Sequence, residues 1–192
     1  MTKREYKPTK RYKCQEEVRT CPPSSLFLLA IPLMLILWMT FGSMGTLVLR
    51  DPFTGDLLWM GTVRQGEDIQ VCYTHSVERT EVCEIYEIGK GELLLMEEHF
   101  KSLGAGLPAS APHPFERMKD GYRYYDMNIS FPNVIYRTGA SLAEHQLVYR
   151  GKRIPFLEFS EPGGAVELSI QRISPFHYLY WRCKANESRS FE

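Results

Sequence analysis

Polar and charged residues dominate positions 1–24, an uncharged apolar run occupies 26–41, and from residue 46 onward short apolar stretches alternate with turn-forming residues. The three regimes predict three different structures. In the first, Lys3, Arg4, Lys7, Lys10, Arg11, Lys13 and Arg19 stand against Glu5, Glu16 and Glu17 with no hydrophobic period, which predicts a disordered basic tail over 1–24. The second passes through Gly42-Ser43-Met44-Gly45-Thr46 into Leu47-Val48-Leu49 before the next charge at Arg50. An uncharged window of roughly 20 residues suffices to cross ~30 Å of hydrocarbon as a helix, so a transmembrane helix is expected over 25–45, with Pro32 tolerated there. Basic residues on its amino-terminal side put that end in the cytoplasm and the rest of the chain outside the cell membrane. A cleaved signal peptide is the alternative, with Gly42, Ser43 and Gly45 as small residues for cleavage. The long polar stretch before the apolar run favours a retained, single-pass span.

The third regime predicts a mostly β domain over 46–180, a β-sandwich or a partly open barrel, followed by a frayed tail over 181–192. Strands are expected at 46–50, 57–63, 68–75, 80–88, 92–100, 122–126, 134–137, 145–149, 153–159 and 165–173. Asp51-Pro52-Phe53-Thr54-Gly55, Gly89-Lys90-Gly91 and Glu161-Pro162-Gly163-Gly164 supply turns between them. The segment 102–121 holds Gly104, Gly106, Pro108, Pro112 and Pro114, and reads as a long irregular loop, a class that is often functional.

Strand alternation then assembles a candidate site. If the strands around Tyr73 and Glu84 form a hairpin turning at Ser76-Val77-Glu78-Arg79, Val71 faces Glu84, Tyr73 faces Val82, Ile69 faces Tyr86 and Cys72 faces Cys83. The next hairpin would set Leu94 against Tyr86, Met96 against Glu84 and Glu98 against Val82. Two carboxylates would project from an apolar face, where each needs a donor or a cation; Tyr73, His75, Tyr86 and Arg172 are the candidates. Two interpretations follow: a polar pocket presenting His75, Ser76, Glu84 and Glu98 to a ligand, or an internal network that fixes strand register. A hydrolytic triad is disfavoured, because Ser76 sits in no Gly-x-Ser-x-Gly elbow and neighbouring strand residues point to opposite faces. A Cys72–Cys83 disulfide on the opposite face is geometrically reasonable, the alternative being two free thiols packed as small hydrophobes.

Charge and cysteine usage narrow the function classes. Lys plus Arg and Asp plus Glu number 23 each, so the chain lacks the basic excess of a nucleic-acid binder. Cys72, Cys83 and Cys183 fall in the expected oxidising compartment, Cys14 and Cys21 in the reducing one. No CxxC pair or Cys/His zinc spacing occurs, and neither metal nor cofactor is expected. Asn128-Ile129-Ser130 and Asn186-Glu187-Ser188 match the glycosylation triplet, which carries meaning only in a eukaryotic secretory pathway.

The blocks Tyr73-Thr74-His75-Ser76-Val77-Glu78, Glu84-Ile85-Tyr86 and Phe100-x-Ser102-x-Gly104-Ala105-Gly106-Leu107-Pro108 resemble a bacterial family, domain of unknown function 1850. The resemblance begins near Leu47 and extends to the Val166-x-Leu168-x-Ile170 strand. It implies a small extracytoplasmic protein found in company with the permease and solute-binding protein of TAXI-type tripartite ATP-independent periplasmic (TRAP) transporters. No catalytic residues carry over, and the cysteine pair is not part of the family pattern. The expectation is a non-enzymatic, membrane-held transporter accessory whose ligand-binding or motif residues are Tyr73, His75, Ser76, Glu78, Glu84, Tyr86, Glu98, Gly104, Gly106 and Pro108. The alternative is a stand-alone small-ligand-binding or hydrolytic domain using His75, Glu84 and Glu98.

Overall fold

A computed structural model of the protein describes residues 24–102, 113–139 and 144–189, and divides the chain into two compact units between Ile36 and Leu37. The described part of the first unit is the body of helix α1 (Ser24–Phe41). Leu33, Met34, Leu35 and Ile36 are 58–70 % exposed. Four successive helical positions sweep a full turn, so over Leu33–Ile36 the helix is apolar on every side. Among the residues whose side chains are described, which in α1 begin at Ala30, no helix is long and apolar enough to cross a membrane. The helix also stops short of the expected residue 45. Gly42 donates its N–H to the Trp38 carbonyl at 2.8 Å, and Met44 already belongs to a strand.

The second unit is built from two antiparallel sheets. Strands β1 (Met44–Arg50), β2 (Leu57–Thr62), β9 (Asn133–Arg137) and β12 (Ala165–Ile173) form one, in the order β2-β1-β12-β9. The other runs β11-β10-β3-β4-β5-β7-β6, with β3 (Asp68–Thr74), β4 (Glu81–Ile88), β5 (Leu93–Phe100), β6 (Phe115–Met118), β7 (Gly121–Tyr124), β10 (Gln146–Tyr149) and β11 (Lys152–Pro155); β8 (Ile129–Phe131) pairs with β5. Alternation places Leu47, Leu49, Val166, Leu168 and Ile170 of the first sheet in one core with Ile69, Val71, Tyr86, Ile88 and Leu147 of the second. Two packed antiparallel sheets are the arrangement of a sandwich.

Four local features depart from the sequence expectation. The β4–β5 register slips between Ile85 and Tyr86, so that Leu95, not Leu94, lies opposite Tyr86 and Glu98, not Met96, lies opposite Glu84. One extra residue in β5 flips its parity, and Leu93 and Leu95 take the core positions expected of Leu94 and Met96. The segment 102–121 contains a strand, β6, which every residue exposes and which therefore has no buried face for a hydrophobic pattern to reveal. It is held by Phe115 stacked on Tyr122 at 5.5 Å and by Arg123 paired with Glu116 at 2.8 Å. The expected strand over 153–159 ends at Pro155 and continues as a 3-10 turn, Phe156–Glu158, that sinks Phe156 into the core. Of the stretch expected to fray, residues 181–189 are instead part of helix α2 (Pro175–Arg189), and residues 190–192 lie outside the described residues. Ser174 Oγ accepts the His177 N–H at 3.3 Å, and Pro175 occupies the first helical position, a start signal the tail reading passed over.

A carboxylate clasped by tyrosines between the sheets

The β3–β4 hairpin has the register that alternation predicts, with Val71 opposite Glu84, Tyr73 opposite Val82, Ile69 opposite Tyr86 and Cys72 opposite Cys83. Glu84 sits in the middle of β4 on the core side and is reached by three tyrosines. Tyr86 donates its hydroxyl to Glu84 Oε2 at 2.7 Å, and Tyr136, from β9 of the other sheet, donates to the same oxygen. Tyr73 reaches Oε1 at 3.5 Å, the outer limit of a hydrogen bond. The Tyr86 and Tyr136 hydroxyls are themselves 2.7 Å apart. One carboxylate thereby ties the two sheets together.

Burial, reinforced by the charge of Glu84, pushes the phenols of Tyr73, Tyr86 and Tyr136 well above their ordinary value. All three keep their protons and remain donors across the biological pH range. Glu98, directly across from Glu84 because of the bulge, is raised in pKa by burial and then by the neighbouring Glu84. Two carboxyl groups side by side in a partly dry site disfavour joint ionisation.

His145, just before β10, completes the group. Its ring stacks on Tyr73 at 5.2 Å and on Phe156 at 5.8 Å, and meets Tyr136 at 5.7 Å. Burial lowers its pKa, which favours the neutral imidazole, and its Nδ1 is buried with no hydrogen-bond partner among the described residues. Sequence reasoning found neither Tyr136 nor His145, because both reach the site through long-range pairing. Tyr136 did carry a signal: it shares the inward parity of Val134 in β9, and a buried tyrosine needs a partner for its hydroxyl.

The other motif residues form a second hydrogen-bonded group at the tip of the hairpin. His75 accepts the Arg79 N–H on its carbonyl at 2.8 Å and the Glu78 N–H on its ring Nδ1 at 3.4 Å. Arg79 adopts the left-handed φ of 53° that this turn requires. Ser76 is exposed, and Glu78 accepts the Ser102 hydroxyl at 2.9 Å, tying the hairpin to the end of β5. Gly104, Gly106 and Pro108 lie outside the described residues. Arg172, a candidate donor to the carboxylates, instead donates to Ser43 Oγ at 3.0 and 3.2 Å on an exposed edge.

On the opposite face Cys72 and Cys83 form a disulfide, their Cα atoms 4.1 Å apart. Their sulfurs and a carboxylate oxygen of Glu81 lie within 4.8 Å of one another. Both sulfurs are committed to the bond, so neither is a thiolate ligand, and Glu81 is paired with Arg153 at 2.6 Å.

The family model of a domain of unknown function, DUF1850, matches residues 69–156. That stretch is shorter than the 47–170 over which the sequence resembles the family, but it holds Tyr73, Glu84, Tyr86, Glu98, Tyr136 and His145. No curated protein and no solved structure matches the chain. The DUF1850 match thus runs from β3 to the 3-10 turn that buries Phe156.

Proposed function

We propose that the chain is a membrane-anchored extracytoplasmic accessory protein of a TAXI-type TRAP transporter, with no catalytic activity of its own. The observation that carries the non-enzymatic reading is the state of Glu84. Tyr86 and Tyr136 donate to one of its oxygens, Tyr136 from the other sheet, and Tyr73 approaches the second oxygen, so the carboxylate serves the hydrogen-bonding of the fold. A general base needs a lone pair aimed at substrate. The residues left facing outward are those of the hairpin tip, where Val77 is 65 % exposed and Glu78 clasps Ser102.

Anchoring is supported by a helix that is apolar on every side over Leu33–Ile36, a composition suited to lipid or to a protein core. Its 18 residues span about 27 Å at ~1.5 Å each, close to the thickness of the hydrocarbon layer. The basic residues before it favour a cytoplasmic amino terminus, and the Cys72–Cys83 disulfide favours an oxidising compartment for the β unit. A tether raises the effective concentration of a weakly binding domain near a membrane partner. The transporter association itself comes from the family resemblance.

The test is purification of the tagged full chain from its native membranes in mild detergent, with mass spectrometry of whatever accompanies it. Recovery of a TRAP permease or its solute-binding protein is expected. A chain that purifies alone would overturn the stable-subunit reading. Glu84→Gln separates the hydrolytic alternative: lost stability fits the network, whereas intact stability with lost ligand binding fits a chemical site.

A further inference from the structure

The β1–β12 pairing brings two aromatic-rich elements to one edge of the smaller sheet. Met44 pairs with Ile173. Phe41, the last residue of α1, lies three residues before Met44, and Pro175, the first of α2, lies two residues after Ile173. At that edge Trp38 and Phe41 are 56 % and 83 % exposed.

Helix α2 has two distinct faces. Pro175 is buried and Tyr178 and Trp181 are half-buried, which marks the side turned to the protein. Phe176, Leu179 and Tyr180 are about half exposed and Cys183 is exposed, so the other side is a stripe at i, i+3, i+4 and i+7 that the described residues leave largely uncovered. Arg182 and Lys184 follow, with the Lys184 ammonium 5.2 Å from the Trp181 ring. An apolar stripe rich in Phe and Tyr, with basic residues at its margin, has the composition of a helix that lies in a membrane interface.

We infer that α2 is a second membrane contact: it lies in the headgroup region of the bilayer that holds α1, with Phe176, Leu179 and Tyr180 inserted. The occupant is the bilayer and not a protein groove, because the stripe starts at the same strand end that leads into the apolar α1. This inference rests on the anchoring of α1 proposed above. A contact through α2 would hold the β1–β12 end of the β unit at the membrane surface.

The test uses the full chain in lipid nanodiscs with Cys14→Ser and Cys21→Ser and an environment-sensitive nitrobenzoxadiazole label on Cys183. Companion proteins carry the label at position 38 (Trp38→Cys) or position 161 (Glu161→Cys), each with Cys183→Ser. Glu161 is exposed and precedes β12, at the end of that strand away from Ile173. Because an interfacial helix sits about 5–10 Å into the headgroup boundary, lipids spin-labelled near the headgroup should remove about half or more of the emission at 183. The label at 38 should be quenched and that at 161 should not. Replacing Phe176, Leu179 and Tyr180 together by serine should abolish quenching at 183 and leave it intact at 38; these side chains are exposed, so the fold should persist. Quenching at 38 without quenching at 183 would overturn the inference and leave the anchor standing. No quenching at 38 would overturn the anchor itself.

Discussion

Replacing Tyr136 by phenylalanine isolates the bond that joins the two sheets. The ring and its packing against Phe156 stay, so no cavity opens, and only the hydroxyl that donates to Glu84 and meets Tyr86 is lost. A hydrogen bond to a charged group contributes about 1.5–3 kcal/mol net, and its removal leaves a half-buried carboxylate short of a donor. For a unit of this size that corresponds to a fall of roughly 4–10 °C in Tm. Tyr73→Phe removes a contact at 3.5 Å and should cost less than about 1 kcal/mol. The assay is thermal unfolding of the oxidised full chain in mild detergent, followed by near-ultraviolet circular dichroism. A cycle that adds Glu84→Gln should show the two residues coupled by about 1–2 kcal/mol. Tyr136→Phe melting within about a degree of the parent, or Tyr73→Phe costing as much, would refute the account of the carboxylate as a tie between sheets.

Glu98 titrates in the fold above its ordinary 4.5, so as pH rises the unfolded chain loses this proton first and stability falls from about pH 4.5 until Glu98 ionises in the fold. Glu98→Gln should therefore melt higher than the parent at neutral pH and lose that advantage below pH 4.5; an advantage independent of pH would contradict this. His145 titrates below its ordinary 6.5, so its contribution is present above that value and is lost as pH falls through 6.5 toward the lower folded pKa. His145→Phe keeps the stack with Tyr73 and Phe156 and should flatten the acid side of a Tm-against-pH curve, whereas an unchanged curve would show that another group governs it. Gly121 has φ +149°, and a β-carbon there would fall on the Phe100 carbonyl oxygen. Gly121→Ala should cost about 1–3 kcal/mol in the same melting assay and speed hydrogen exchange in β6 and β7; exchange unchanged in those strands would argue against the strain.

The fold was legible wherever side chains alternate between a wet and a dry face. The β3–β4 register followed from that rule alone, and the disulfide-bonded pair falls where it predicted. Legibility ended where the rule has nothing to act on. Strand β6 is exposed at every residue, and the bulge in β5 depends on how its extra residue, Met96, is accommodated opposite the Ile85–Tyr86 step. That bulge changed the site, because it moved Glu98 from diagonal to directly opposite Glu84. The site itself was half visible. Glu84, Tyr73, Tyr86 and Glu98 come from adjacent strands and could be aligned by counting, whereas Tyr136 and His145 arrive from chain positions some fifty and sixty residues further on than Glu84. His75 and Ser76, for which a ligand pocket and an internal network were both open, lie at the hairpin tip, where His75 accepts the Glu78 N–H and Glu78 accepts the Ser102 hydroxyl.

The central proposal is a transporter accessory in which Glu84 serves the fold and the outward hairpin tip is left for a partner. Its most direct test places a photo-crosslinking amino acid at position 77, in place of the exposed Val77, in the full chain at its native level in cells. The account predicts an ultraviolet-dependent adduct whose partner is identified by mass spectrometry as a TRAP permease or its solute-binding protein. Absence of that adduct at position 77 and at the neighbouring exposed Ser76, with the chain folded and in the membrane, would contradict it.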